Sequence, residues 1–299
     1  MKKAAPVFVI IAATLWAAMG IVTRYVSAVG FHIRQTAAVR IVSAAICLVV
    51  FLFLTDRQKL KIKREDLKWF LGTGILSLFV NNLAYAETVQ RASLSVAVVL
   101  LYTAPFFVVI LSVLFFKEKM TIQKVTALLL SFAGCILVVG LSGSNVGDNV
   151  YLTLLIGLCA GFGYSLYSVF GKVLTEKYES LTVTAYTFIV AACCALLVSN
   201  PVDMCQKIGA NLEKMPLIVV GSVVTLALPY VFYSMGLKYM ESSKASILAS
   251  WEVVAASLLG VVLYGESLDI YNIIGIVCVV TALVILQMKP KKQKKERLF

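Results

Sequence analysis

Apolar runs of membrane length recur along the whole chain, each closed by a short polar break. They fall at about 5–27, 36–54, 67–87, 93–116, 121–141, 151–171, 181–199, 216–237, 243–264 and 270–288. A helix needs about 20 apolar residues to cross roughly 30 Å of bilayer hydrocarbon, so each run predicts one crossing. The runs are continuous, whereas a transmembrane β-barrel would show alternating segments of ~10 residues. The expected fold is an all-α integral membrane protein with ten transmembrane helices.

The pattern is written twice. Shifted by 148 positions, the stretch that begins at Ser95 lies without a gap on the one that begins at Ser243, pairing Ala97 with Ala245 and Glu118 with Glu266. Identity between the copies is thin, but the same shift superposes the spans and loops of both halves. Internal repetition of this kind decides the architecture before any single residue does. Residues 1–142 form the first repeat with spans one to five, 150–290 form the second with spans six to ten, and 291–299 are a basic tail. Five is an odd number, so the second copy enters the membrane upside down. Two inverted five-helix repeats are how many secondary transporters are built, with the substrate site near the midplane where the copies meet.

Composition agrees, with 61% hydrophobic and 14% charged residues against about 45–50% apolar in a soluble globule. A net charge of +12 would point to nucleic acid in a soluble protein, but its distribution here follows the rule that basic flanks stay in the cytoplasm. With the N-terminus inside, most of the 27 lysines and arginines lie on the inner side. The outer side keeps Arg24, Arg34, Arg91, Lys207 and Lys214, and Arg40 lies within a span. Both termini are therefore expected in the cytoplasm of a plasma-membrane protein. The basic tail follows the same topology and touches anionic headgroups. The apolar run after Met1-Lys2-Lys3 continues to Ser27 with no small-residue cleavage site, so it reads as a retained first helix and not as a signal peptide. The seven cysteines, with no C-x-x-C pair, read as small packing residues.

Polar and aromatic residues at membrane depth carry the candidate chemistry, because an ionisable group there costs at least about 2.5 kcal/mol and turns toward protein or a wet cavity. The span centres hold Trp16, then Asn81 and Asn82 with Tyr85 below them, then Tyr102 and Pro105. The second half holds Tyr164 and Tyr167, then Pro229, Tyr230 and Tyr233, then Trp251 and Glu252. These come from corresponding helices: Trp16 pairs with Tyr164, Asn82 with Tyr230, and Pro105 lies one position from the partner of Glu252. Such a set would line a central cavity. Glu252, alone among acids near a span centre, is a site for a proton or a substrate amino group, or else a structural acid bonded to a neighbouring helix. Pro105 breaks span four or only kinks it. Asn81 and Asn82 contact substrate or join helices. Arg40 and Glu87 sit at similar depth and suggest an outer pair, with snorkelling as the alternative for Arg40. Glu118 and Glu266 are assigned to turns on opposite sides, and His32 to a solvated outer loop. Thr121 and Asp269 stand as helix N-caps. Gly157-x-x-x-Gly161 marks close helix packing.

These motifs resemble a known family. Leu101-Tyr-Thr-Ala-Pro105-Phe-Phe through Phe116-Lys-Glu118-Lys resembles the "YTAP…EK" block of EamA-like domains in the drug/metabolite transporter superfamily, and Trp251-Glu252-Val-Val through Tyr264-Gly-Glu266 resembles their second-copy "LEP…GE" block. Trp16-Ala-Ala-Met-Gly20 and Arg40 look like the family's first and second helices. The resemblance implies inverted repeats, a central cavity and alternating-access movement of metabolites, often amino acids and frequently as export. Val253 stands where the family has a proline after the acid.

The expected function is a secondary transporter of a small organic solute such as an amino acid, with no nucleotide-binding loop and no cofactor. Organic cations or drugs are the alternative substrates, attracted by the aromatic lining and Glu252 through cation–π contacts. A channel or a non-transporting sensor is a further alternative, and an intramembrane enzyme lacks convergent catalytic groups. The expected partners are the solute and membrane lipids, without nucleic acid, in a monomer or homodimer.

Overall fold

The computed structural model describes residues 2–92, 94–140, 149–265 and 267–288, and these residues contain helices and no β-strand. Glu266, the end of the first repeat at 142 and the basic tail lie outside the described residues. Ten helices are long and apolar enough to cross a bilayer: α1 Ala5–Ala28, α2 Ile33–Thr55, α3 Arg64–Arg91, α4 Leu94–Phe116, α5 Ile122–Val139, α6 Val150–Lys177, α7 Ser180–Val198, α8 Leu212–Tyr239, α9 Ser242–Tyr264 and α10 Ile270–Gln287. Large apolar side chains such as Leu54, Leu114, Leu197 and Val262 point outward. On a soluble protein they would form an aggregation surface; in a bilayer they face lipid.

Local chemistry sets the ends. The Thr121 hydroxyl accepts from the Lys124 amide and the Asp269 carboxylate from the Asn272 amide. At the far ends of α4 and α9 the chain turns through the left-handed region, at Lys117 with φ 51° and at Gly265 with φ 67°. These two positions are 148 apart, so the copies share one stop signal, which glycine satisfies without strain.

Packing has the symmetry that the repeat implies. In the first direction α1 lies on α8 and α9, and in the second α6 lies on α3 and α4; α2 lies on α7 and α5 on α10. Exchanging the halves leaves this pattern unchanged, as a pseudo-two-fold axis requires. With five crossings per half, that axis lies in the membrane plane. Gly134 and Gly275 sit where α5 meets α10, and a Cβ on either would stand 2.7 Å from the other's carbonyl oxygen. In α6 a Cβ on Gly157 would meet Leu100 at 2.3 Å, and one on Gly161 would meet the Thr103 hydroxyl at 2.5 Å. The G-x-x-x-G pair thus lets α4 approach α6 with its backbone.

The helices are interrupted in matching places. The backbone is π-helical over Gly72–Phe79 in α3 and Val223–Ala227 in α8. α4 breaks between Leu101 and Ala104, and α9 breaks at Ser250. Pro105 follows the first break, yet Val253 replaces it in the second copy and the helix still breaks, so packing in the repeat enforces the interruption. α1 also breaks, at Ala18, while its counterpart α6 is continuous. A short helix, Pro201–Ala210, capped by Asn200, occupies the connection between α7 and α8.

Both described chain ends, the 56–63 loop and the Lys117–Thr121 turn lie on one side of the bundle, the basic face. The α1–α2 and α7–α8 connections lie on the opposite face.

Candidate functional site

Four helices bring an aromatic cluster together at the centre. The Trp16 ring lies 5.2 Å from Tyr230, 5.4 Å from Tyr233 and 6.2 Å from Tyr164, centroid to centroid. Tyr230 in turn lies 4.7 Å from Tyr167 and 5.4 Å from Phe188 of α7. Edge-on pairs of this kind contribute about 0.5–1.5 kcal/mol each beyond burial. Two hydroxyls are spent on structure: Tyr167 bonds Ser234 and Tyr233 bonds Ser168, each at 2.7 Å.

Other polar groups remain unspent. The carboxylate of Glu252 has no hydrogen bond or ion pair with any described residue, and Tyr85, Tyr102, Tyr164 and Tyr230 lie within its electrostatic reach. None of those four hydroxyls bonds protein either, and none of them, nor the carboxylate, is among the fully enclosed unpartnered atoms. Each of these oxygens therefore keeps some accessible surface among the described residues. Ser250, at the α9 break, lies beside the Cys135 thiol of α5.

The remaining candidates are placed elsewhere. Asn81 is buried against Gly163 of α6 with its amide oxygen unpartnered. Asn82 donates to the Leu78 carbonyl at 2.6 Å and faces a cleft shared with Arg34 and Ala37 of α2 and Ala195 of α7. Trp251 donates to Thr14 at 3.0 Å and lines a lipid-side groove between α1, α9 and α10. Pro105 is buried in the first turn after the break of α4. Phe188, Ser168, Ser234, Thr14 and Ser250 complete the centre and carry no signal in the sequence beyond their depth in a span.

A cleft of about 170 Å³ opens between Ala17, Gly20 and Arg24 of α1 and Ala256, Gly260 and Tyr264 of α9. Its inner end reaches the neighbour of Trp16 and a position one turn from Glu252. At its mouth the Arg24 guanidinium lies over the Tyr264 ring at 5.0 Å. A Cβ on Gly20 would meet nothing within 4 Å.

On the basic face, by contrast, the repeats are tied together. The Glu118 side chain, 7% exposed, accepts from the Ser242 amide at 2.8 Å and from the Ser243 hydroxyl, capping the start of α9. Lys124, 3% exposed, pairs with Glu118 at 3.3 Å and Glu241 at 3.1 Å. Asp66 accepts from Lys177 at 2.5 Å and Tyr178 at 2.8 Å. Glu118 thus does more than shape its own turn: it crosses to the other repeat.

The expected pair of Arg40 and Glu87 does not form. Glu87 binds Arg91 at 2.8 Å and Arg34 at 3.6 Å, because both reach it from the helix ends. Arg40 is 5% exposed and does not snorkel; it donates to the hydroxyls of Thr23 and Thr225 instead.

Comparison with known proteins supports this architecture. The sequence model of the EamA-like transporter family matches twice, over residues 3–140 and 151–288. Two uncharacterized transporters of Archaeoglobus fulgidus are 28% identical over 69% of this chain and 71% of theirs, and 27% identical over 83% and 88%. The uncharacterized inner membrane transporter YicL of Salmonella typhimurium is 22% identical over 95% of both chains. A solved crystal structure superposes with a TM-score of 0.78 at 18% identity, covering 96% of this chain and 97% of that one, which bears on the fold alone. Two matched halves, each spanning five membrane helices, place the chain in the EamA-like transporter family.

Proposed function

We propose that this transporter carries a small organic solute bearing an amino group, an amino acid or a related metabolite, through the central space by alternating access. The observation that supports this is the convergence of five unspent polar groups: the Glu252 carboxylate and the hydroxyls of Tyr85, Tyr102, Tyr164 and Tyr230, beside the Trp16 ring. An unpaired carboxylate at this depth favours an ammonium group, and the aromatic wall adds cation–π attraction. We take the basic face as cytoplasmic in the plasma membrane. The cleft between α1 and α9 then opens outward, while the Glu118 and Asp66 links hold the inner side shut, and export is the direction of net movement.

A second reading, transport of bulkier organic cations, is favoured by the same aromatic wall. Counterflow in proteoliposomes separates these readings. Preloaded unlabelled amino acid should drive concentrative uptake of its labelled form in a carrier of that class. Counterflow with quaternary amines alone would favour the second reading, and flux without counterflow would make the protein a channel. Glu252→Gln should lower counterflow at least about tenfold with normal membrane expression, since the charge attraction is lost; unchanged kinetics would remove Glu252 from the mechanism.

A further inference from the structure

Arg40 is a cation that no described carboxylate neutralises. It lies seven residues inside the start of α2, about 10 Å along the axis, and is 5% exposed. Its Nη1 donates to Thr23 Oγ1 at 2.8 Å and its Nη2 to Thr225 Oγ1 at 3.0 Å. Both hydroxyls already give their own protons to backbone carbonyls, Thr23 to Met19 at 2.9 Å and Thr225 to Gly221 at 2.8 Å. They therefore act as neutral acceptors that aim the guanidinium and leave its charge intact. A guanidinium has five N–H donors. Two are committed here, and Nε is enclosed with no partner at all. No described carboxylate pairs with it.

The repeat supplies a control. The position of Arg40 in the second copy is Phe188, fully buried and packed on Tyr230. The same site in the same fold is thus filled by an apolar ring, so packing does not require a charge. The partner Thr225 projects from the π-helical segment Val223–Ala227, an interruption of the kind that accompanies functional sites. Gly20, one turn from Thr23, borders open space in the cleft between α1 and α9.

We propose that Arg40, aimed by Thr23 and Thr225, is a small-anion subsite in the half of the bundle next to the opposite face, taking a carboxylate or a halide. Nε and one N–H of each Nη are unused, and a planar guanidinium suits a carboxylate, which accepts two parallel N–H bonds. The site is separate from Glu252 and does not depend on what Glu252 binds. An anion seated there neutralises the buried charge, and on a solute path it holds the acidic end of the solute after entry through the α1–α9 cleft.

The test uses the full-length protein in nanodiscs, with thermal stability and equilibrium binding of labelled chloride followed as gluconate is replaced by chloride or by acetate. Saturable stabilisation is expected from bound anion. It should persist in Glu252→Gln, fall about tenfold in apparent affinity in Thr225→Val, where one orienting acceptor is lost, and vanish in Arg40→Gln. Response to chloride as well as acetate identifies an inorganic-anion site, and response to acetate alone identifies a solute carboxylate. The proposal is overturned if neither anion stabilises or binds the wild type, or if the response survives in Arg40→Gln. Should Arg40→Gln fail to purify, an undiminished response in Thr225→Val overturns it equally.

Discussion

Glu252 stands without a partner in a place where a structural acid would have one. A carboxylate that joins helices leaves its donor stranded when removed, which costs about 1–3 kcal/mol. Glu252 has no donor to strand, so Glu252→Gln is expected to keep or raise thermal stability while transport is lost. A melting temperature several degrees lower would mark Glu252 as a structural acid. At the opposite face, Asp203 shows the contrary arrangement. Lys207 and Gln35 hydrogen-bond its carboxylate, at 2.8 and 2.6 Å, and hold its pKa below the ordinary aspartate value. A depressed folded pKa contributes stability above the unfolded pKa of about 3.9, and that contribution is lost as pH falls through the lower folded value. Acid titration of melting temperature should therefore be flatter in Asp203→Asn below about pH 4, and identical acid limbs would show that the pair does nothing in solution. Both roles depend on which groups converge in space. The depth of Glu252 in its span was readable from the sequence; its lack of a partner was not. The pairing of Glu87 with Arg34 and Arg91, in place of Arg40, shows the same limit, since two residues at equal depth on adjacent helices still face whichever way packing turns them.

Helices with matching interruptions carry the function-bearing geometry at the next scale. Hydropathy located all ten spans to within about six residues at each end, because bilayer thickness sets their length. It marked Pro105 as a break or a kink but gave no sign of the break at Ser250, where no proline stands. The π-helical segments of α3 and α8 are likewise invisible to hydropathy, which registers how apolar a stretch is and not how its carbonyls are shared. The α5–α10 contact is the firmest element-level prediction. Alanine at Gly134 or at Gly275 forces a methyl to 2.7 Å from the facing carbonyl, an overpacking expected to cost about 1–3 kcal/mol. Because both substitutions press on one contact, the double variant should lose less than the sum. Thermal denaturation in detergent measures this, and full additivity would indicate that the two helices do not meet at these glycines.

For the molecule as a whole, the links across the basic face join the two repeats. Glu118, Lys124 and Asp66 belong to the first repeat, and Ser242, Ser243, Glu241, Lys177 and Tyr178 to the second. Moving the repeats apart there requires all of these bonds to break. Charge-assisted hydrogen bonds of this kind contribute about 1.5–3 kcal/mol each, so Glu118→Ala should shift the balance toward a state open on the basic face by about tenfold or more. A cysteine at Ser246, buried beneath this network and introduced into a cysteine-free background, should react correspondingly faster with an impermeant maleimide applied from that face. Equal rates in both backgrounds would mean that the network does not hold the gate.

The amino-acid sequence by itself determined that the chain crosses the membrane ten times, that its halves are copies and that an odd number of crossings inverts the second. Bilayer thickness and hydropathy act on each span separately, so these features need no knowledge of neighbours. The tertiary structure alone decided which polar groups are satisfied. Trp16 meets Tyr230, Glu118 meets Ser243 and Arg40 meets Thr225, while Glu252 hydrogen-bonds no described residue, and each of these outcomes depends on helix rotation within the bundle. That rotation is set by glycines, breaks and side-chain volumes on several helices at once, and no single stretch of sequence contains it.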